Sequence, residues 1–222
     1  SLHFLLIKAV HDLFPDRHLI INHSISKGLY CSLDGDDEFT EEEVKAIENR
    51  MRQLVAAKIP FVKRTIPIEA AKEVFEKMGR MDRFHAVEHR EKPHVTIYSC
   101  DGLDDYFYGY MVPHTGYLNQ FALKFYHPGL ILIYPEKGSP DTLPEFKEQK
   151  KLFNIFAEYK NWVKILGVQN VGALNDIVKA GRIDSFIQVA EALHEKKIAQ
   201  IADMIAFNKN KIRIVLIAGP SS

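Results

Sequence analysis

Two pairs of short apolar runs, each broken by turn-forming residues, constrain the fold of this chain more than any other feature. The first pair occupies residues 18–25 and 28–33, and the second occupies residues 121–126 and 130–134 around a His-Pro-Gly turn. Runs of this length on either side of a turn predict β-hairpins, and hairpins build antiparallel sheets. Segments with helical spacing lie between the two pairs. The sequence therefore predicts an α+β fold, with an antiparallel sheet and helices on one side of it.

Three segments in this first part carry apolar residues at helical spacing. The first covers residues 2–13. The second follows Thr40, which stands three residues before Glu43 in the pattern of a capping box, so a long amphipathic helix is expected to begin there. The third opens at Pro67. The other elements predicted in this part are strands at 61–66 and 95–99.

The composition changes after Tyr134, where residues 135–141 are rich in Pro, Gly and charged side chains. Such a stretch is typical of a linker. Helices are predicted beyond it at 144–166, 174–179 and 184–205.

The last apolar run, residues 212–218, is β-branched and nearly continuous. That pattern predicts a strand buried on both faces of a parallel sheet. We therefore expect an α+β domain at 1–134, a helical linker region at 135–211, and a first strand with its loop at 212–222.

Charge balance and cysteine content narrow the functional classes. Lysine plus arginine and aspartate plus glutamate each number 29 among 222 residues, so composition gives no support to nucleic-acid binding through a bulk basic surface. Cys31 and Cys100 form neither a CxxC pair nor a disulfide framework. No apolar stretch reaches the length of a membrane span, and no signal-peptide pattern is present. These features predict a cytoplasmic protein without a membrane partner, and we expect the chain to be a fragment at both ends.

The final four residues follow the predicted strand as Gly219-Pro220-Ser221-Ser222. A phosphate-binding loop has the form G-x-x-x-x-G-K-[ST] between a strand and a helix. The first glycine and three variable positions are present, whereas the second glycine, the lysine and the Ser/Thr are not. These four residues are the candidate nucleotide-binding site, and the alternative is an ordinary chain end.

Residues 185–205, followed by 212–222, resemble the entry to the kinase domain of bacterial uridine-kinase-like nucleoside kinases. The resemblance implies a parent protein that phosphorylates uridine or cytidine with ATP and Mg²⁺. This chain would then be its non-catalytic accessory region, holding no cofactor itself. A nucleoside would be the parent's substrate, and the unpaired C-terminal strand could join two copies.

Residues 1 to about 134 resemble the second additional domain of threonyl-tRNA synthetase, a fold related to that of alanyl-tRNA synthetase, which performs editing. The matching stretches are 5–15, 20–34 and 39–51. The editing domain uses an HxxxH pair on its first helix and a later CxxxH. Here the pair falls on Phe4 and on Ser1 or the residue before it, and Tyr110 replaces the cysteine. Only His114 is kept, so hydrolysis by that mechanism is not expected.

Two alternatives to the kinase function remain open: an editing-type aminoacyl-tRNA hydrolase, and an RNA- or protein-interaction module. The candidate remnant cleft consists of Tyr110, His114 and Thr115, which sit in a Pro- and Gly-punctuated loop. The alternative is that this loop is a structural turn. An aromatic cluster could stack a nucleic-acid base or could simply be core; its members are Tyr106, Phe107, Tyr108, Tyr110 and Tyr117.

His85 and His89 form an HxxxH pair of their own at i, i+4 spacing. Two ligands do not close a tetrahedral metal site. They are therefore weak metal candidates, and no native metal is expected.

Overall fold

The computed structural model describes residues 1–35 and 37–217. Internal contacts divide the chain into two compact units, residues 1–159 and 160–222. In chain order the elements are α1 (Leu2–Leu13), β1 (Leu19–Ile25), β2 (Gly28–Leu33), α2 (Glu41–Ala56), β3 (Val62–Pro67), α3 (Ile68–Lys77), α4 (Met81–Glu88), β4 (His94–Cys100), β5 (Leu103–Asp105), β6 (Ala122–Tyr126), β7 (Gly129–Ile133), α5 (Lys150–Leu166), α6 (Val171–Lys179) and α7 (Ile183–Phe207).

Both predicted hairpins are confirmed and lie in one antiparallel sheet of the first unit. The strand order is β1-β2-β7-β6, so β2 and β7 pair in the middle. At the start of β7, a Cβ on Gly129 would overlap the carbonyl oxygen of Cys31. The backbone of β2 therefore approaches Gly129 at a place where the sequence supplies no side chain.

Helices α1 and α2 cover one face of this sheet, and their apolar stripes form the main core. The capping box at the start of α2 is confirmed: the Thr40 hydroxyl accepts from the Glu43 N–H at 3.2 Å, and the Glu43 carboxylate accepts from the Thr40 N–H at 2.8 Å. Fully buried members of the core include Phe4, Leu5, Leu6, Ile47, Met51, Leu54, Leu130 and Leu132.

The opposite face of the sheet is covered by the segment 146–156, which we call the aromatic strap. Phe153 lies edge-on to Tyr30 with ring centroids 5.0 Å apart, and Phe156 stacks on His23 at 3.7 Å. Helices were expected on one side only. The strap explains why β2 and β7 are buried on both faces.

A second antiparallel sheet has the order β3-β4-β5 and packs against α3 and α4. The strands predicted at 61–66 and 95–99 are confirmed as β3 and β4. Helix α4 and the three-residue strand β5 were not predicted. The first unit is thus α+β with antiparallel sheets, as the sequence predicts.

The second unit consists of the end of α5 together with α6 and α7. Its helices match those predicted, although α5 begins at Lys150 rather than residue 144. A strand was predicted at 212–218. The structure describes residues 212–217 of this segment, and they belong to no helix or strand. No neighbouring strand offers them backbone partners, and Leu216 and Ile217 are 91% and 93% exposed.

Across residues 1–35 and 37–217, no helix is both long enough and apolar enough to cross a bilayer.

Candidate functional site

The structure places the predicted cleft loop beside the first turn of α1 and the start of β3. The N–H of Val112 donates to the Ser1 hydroxyl at 3.0 Å, and the N–H of Phe61 donates to the carbonyl of Pro113 at the same distance. Pro60 and His114 form an isolated β-bridge. The loop that carries His114 is therefore held beside Ser1 and the start of β3.

Phe4 fills the position that the resemblance assigns to the second histidine of the first-helix pair. Its side chain is fully buried. Its ring centroid lies 5.6 Å from that of Phe61 and 5.1 Å from that of Phe107. Three packed phenyl rings leave no lone pair for a metal or a water molecule, so this position is part of the core.

His3, one residue earlier, lies at the edge of the same region. Burial, followed by the neighbouring α-amino group, lowers the pKa of its imidazole. Its ring centroid lies 6.5 Å from that of Tyr134. His3 is therefore held in an environment that favours the neutral ring.

The His114 side chain is turned back onto its own loop. Its Nδ1 accepts a hydrogen bond from the N–H of Gly116 at 3.1 Å, and its ring centroid lies 4.6 Å from that of Tyr117. An N–H donor at Nδ1 needs a lone pair there, so the proton of the neutral ring is on Nε2. His114 thus presents a hydrogen-bond donor outward and has no free basic nitrogen with which to activate water.

Thr115 is fully buried, and its hydroxyl is used within the protein. The Oγ1 donates to the carbonyl of Leu54 at 2.6 Å and accepts from the N–H of Ile59 at 2.9 Å. These bonds tie the loop to the end of α2. They make Thr115 a support for the loop.

Tyr110 projects into solvent next to a lysine that the sequence analysis did not single out. The side chain of Tyr110 is 93% exposed and that of Tyr108 is 83% exposed. The Lys63 ammonium lies 5.3 Å from the Tyr110 ring centroid, within cation–π range. We call Tyr108, Tyr110 and Lys63 the tyrosine surface.

The Tyr98 hydroxyl anchors the turn between the two exposed tyrosines by donating to the carbonyl of Gly109 at 2.6 Å. Gly109 has a φ of +81° and lies between the two exposed tyrosines. A glycine between tyrosines was the only sequence signal for this turn, and nothing in the sequence signalled that Lys63 would lie beside it.

His85 lies in the last turn of α4, which ends at Glu88, and His89 follows it as the cap residue. His85 Nδ1 lies 3.4 Å from a carboxylate oxygen of Glu88. Among the described residues, no group of three possible metal ligands contains both histidines. The candidate nucleotide-binding residues Gly219, Pro220, Ser221 and Ser222 lie outside the described residues.

The chain matches no family model. Over about half of its length, it is similar to threonine–tRNA ligases. Identity is 34% over 109 residues with the enzyme of Desulfovibrio desulfuricans, 34% over 120 residues with that of Methylococcus capsulatus, and 32% over 123 residues with that of Gloeobacter violaceus. The matched parts cover 49%, 54% and 54% of this chain. The chain spans 17%, 19% and 19% of those relatives, respectively.

These comparisons correct one functional expectation and support another. The expected kinase, uridine kinase and P-loop functions are wrong, since the relatives found are tRNA ligases. The synthetase-like part of the expectation is confirmed in its coarse form. About half of this chain is homologous to a segment of threonine–tRNA ligases.

Proposed function

We propose that the first unit is a tRNA-related module that binds RNA through the tyrosine surface and does not hydrolyse aminoacyl-tRNA. The observation that carries this proposal is the exposure of Tyr108 (83%) and Tyr110 (93%), with Lys63 beside the ring of Tyr110. Aromatic rings held in solvent can stack on the bases of a single-stranded nucleic acid. The relatives named above act on tRNA, as their names state. An RNA partner therefore agrees with both the geometry and the homology.

The chemistry of the surface suits unpaired nucleotides. Exposed aromatic rings stack on bases, each stack contributing about 1–3 kcal/mol, and a neighbouring lysine attracts the phosphate backbone. No carboxylate is paired with Lys63 in the described part of the chain. Its charge is therefore available to a ligand.

The same region lacks the groups that hydrolysis would need. Phe4 is buried between two other phenyl rings, Tyr110 stands where the editing motif has cysteine, and the free nitrogen of His114 carries a proton. Without a metal ligand set or a basic nitrogen, no residue here activates water. Binding is thus the function that these side chains support.

Binding is tested with labelled tRNA in a salt series. We expect a Kd of about 10⁻⁴–10⁻⁶ M near physiological salt, with a shallow salt dependence because a single lysine is involved. Replacing both exposed tyrosines (Tyr108→Ala with Tyr110→Ala) should weaken binding at least tenfold if two bases stack. Tyr159→Ala is the matched control, because Tyr159 is 64% exposed but lies elsewhere in the first unit. Equal affinity for all three proteins would refute the proposal.

Hydrolysis is tested separately with mischarged tRNA. We expect deacylation at the rate seen in buffer alone. Deacylation that is faster than buffer and is lost in His114→Ala would instead establish the editing-type hydrolase.

A further inference from the structure

Arg90 differs from the other arginines of the first unit in having no carboxylate partner among the residues that the structure describes. The first unit contains seven arginines. Each of the other six has a carboxylate oxygen within 3.0 Å of a guanidinium nitrogen; they are Arg17, Arg50, Arg52, Arg64, Arg80 and Arg83. An arginine left without a counter-charge in a unit that pairs all the others indicates a place for an anion from outside the chain.

The guanidinium of Arg90 is also partly withdrawn from water. The residue is half-buried, and its Nε is buried without a hydrogen-bond partner. Its Nη1 donates to the Tyr106 hydroxyl, and its guanidinium carbon lies 5.7 Å from the centroid of that ring. A partly desolvated charge with no opposite charge beside it costs free energy, and an anionic ligand would offset this cost.

Tyr106 connects Arg90 to the tyrosine surface. The ring centroids of Tyr106 and Tyr108 lie 5.1 Å apart. Burial, followed by a hydrogen bond to the Tyr108 side chain, raises the pKa of Tyr106 to about 12, so its hydroxyl keeps its proton at neutral pH. Each exposed tyrosine therefore has a cation associated with it: Lys63 contacts Tyr110 directly, and Arg90 is linked to Tyr108 through Tyr106.

We propose that the tyrosine surface takes two consecutive unpaired nucleotides of an RNA strand, with Arg90 binding the phosphate of the nucleotide that stacks on Tyr108. Tyr110 and Lys63 hold the second nucleotide. The proposal rests on the RNA binding proposed above and adds a second cation to it. One residue separates the two tyrosines, so their Cα atoms lie at most about 7 Å apart, and neighbouring nucleotides of one strand can reach both rings. A guanidinium suits a phosphate because it offers two parallel N–H donors to two oxygens.

A salt series with fluorescently labelled tetraadenylate RNA tests the role of Arg90. For a single strand, the logarithm of the binding constant falls with the logarithm of salt concentration at a slope of about −0.7 per phosphate contact. We expect a slope of about −1.4 for the unmodified chain, and a slope of about −0.7 with weaker binding for Arg90→Gln. Arg90→Lys keeps the charge and should restore the slope, which a purely structural role would not do.

Lys92→Gln is the matched control for the loss of one charge. Lys92 is exposed and lies two residues further along the same loop. We expect its affinity and slope to equal those of the unmodified chain. Equal losses in Arg90→Gln and Lys92→Gln would show a general attraction by charge and would overturn the proposal.

Competition with short ligands tests the length of the site. AMP offers one base and the dinucleotide pApA offers two. We expect pApA to displace the labelled RNA at a concentration at least about fivefold lower, because a second base stacks. Tyr108→Ala should remove this advantage. Equal competition by the two ligands would limit the surface to one nucleotide and overturn the proposal.

The results distinguish the role of Arg90 from RNA binding itself. If the double tyrosine variant loses affinity but Arg90→Gln keeps the affinity and slope of the unmodified chain, the tyrosine surface binds RNA without Arg90. An unmodified chain that binds no RNA overturns both proposals. Circular dichroism should show that each variant stays folded. The slope of the unmodified chain needs no variant: a value near −0.7 would leave Lys63 as the only phosphate contact and overturn the role of Arg90.

Discussion

The hydroxyl of Thr115 is committed to the backbone around it. It bridges the carbonyl of Leu54 and the N–H of Ile59, at the point where the chain leaves α2. The adjacent N–H of Thr115 also donates to the carbonyl of Ile59 at 2.8 Å. A buried side chain that satisfies two backbone groups fixes the path of the loop. The position of His114 therefore depends on the hydrogen bonds of Thr115, the next residue in the chain.

Replacing Thr115 by valine keeps its shape and removes both side-chain hydrogen bonds. We expect a loss of about 3 kcal/mol in the free energy of unfolding, because a buried donor and a buried acceptor are left unsatisfied at about 1–3 kcal/mol each. Urea denaturation measures this loss. Thr115→Ser retains the hydroxyl and should lose less than half as much. Equal losses in the two variants would mean that the methyl group, and not the hydroxyl, matters.

His23 makes the stability of the first unit depend on pH. Burial lowers its pKa, and a hydrogen bond to the carbonyl of Ser24 offsets this in part. The folded state therefore takes up a proton less readily than the unfolded chain, whose histidine pKa is about 6.5. The stabilisation is fully present above that pH and is lost as the pH falls towards the folded pKa.

His23→Phe preserves the ring that stacks on Phe156 and removes the titration. We expect the melting temperature of the unmodified chain to fall more between pH 7.5 and pH 5 than that of the variant. If the melting temperatures of the two proteins change by the same amount between these pH values, His23 does not contribute to the pH dependence of stability.

At the scale of the element, the central pair of strands depends on Gly129. A methyl group at this position would collide with the carbonyl oxygen of Cys31 on β2. Because this contact is with backbone, relief requires the strands to separate. Hydrogen bonding between β2 and β7 would be weakened along the whole pair.

Gly129→Ala should therefore cost about 1–3 kcal/mol of stability, as overpacking in a core does. Gly138→Ala is the matched control, since no atom lies within 4 Å of the added methyl group. It should leave the urea midpoint almost unchanged. A neutral Gly129→Ala would show that the strands can shift without loss.

Elements with a strong local signal could be predicted, and those without one could not. The hairpins carry turn residues between apolar runs, and α2 carries its own capping box. Helix α4 has no such signal: it is eight residues long and its cap, Arg80, makes no side-chain capping bond. Strand β5 has three residues, too few for a period to be visible. Residues 212–217 have the composition of a strand but no partner strand. The local sequence could not predict this, because the pairing of a strand depends on residues elsewhere in the chain.

The candidate site likewise has features that the sequence could predict and features that it could not. The sequence predicted a loop punctuated by Pro and Gly around His114, and the structure shows how hydrogen bonds hold that loop beside Ser1 and the start of β3. The tautomer of His114 depends on the local geometry that brings the N–H of Gly116 to its ring. The lysine next to Tyr110 depends on a contact between segments far apart in the chain, which residue type and spacing do not contain.

At the scale of the whole molecule, the apolar cores lie in the first unit. The three clusters of buried apolar residues all fall within residues 4–133, and the partly buried Phe146 and Phe153 of the aromatic strap pack against one of them. The strap therefore belongs to the unit whose sheet it covers. A boundary drawn after Tyr134 would remove it.

Truncation tests this boundary. A chain ending at Tyr159 should unfold cooperatively, with a midpoint close to that of the first unit in the full chain. A chain ending at Tyr134 exposes Tyr30 and the apolar face around it, and it should be less stable and prone to aggregate. If both truncated chains behave alike, the strap is dispensable and the boundary at 134 is the better one.

The packing of Phe4 between Phe61 and Phe107 also limits which side chains this position of α1 can accept. A single change of Phe4 to histidine would lodge an imidazole among phenyl rings, where its N–H has no acceptor, and burying an unpaired polar group is costly. A polar pocket at this place would thus require several of these rings to be replaced together. The three rings therefore depend on one another, so that none of them can be exchanged for a polar side chain alone.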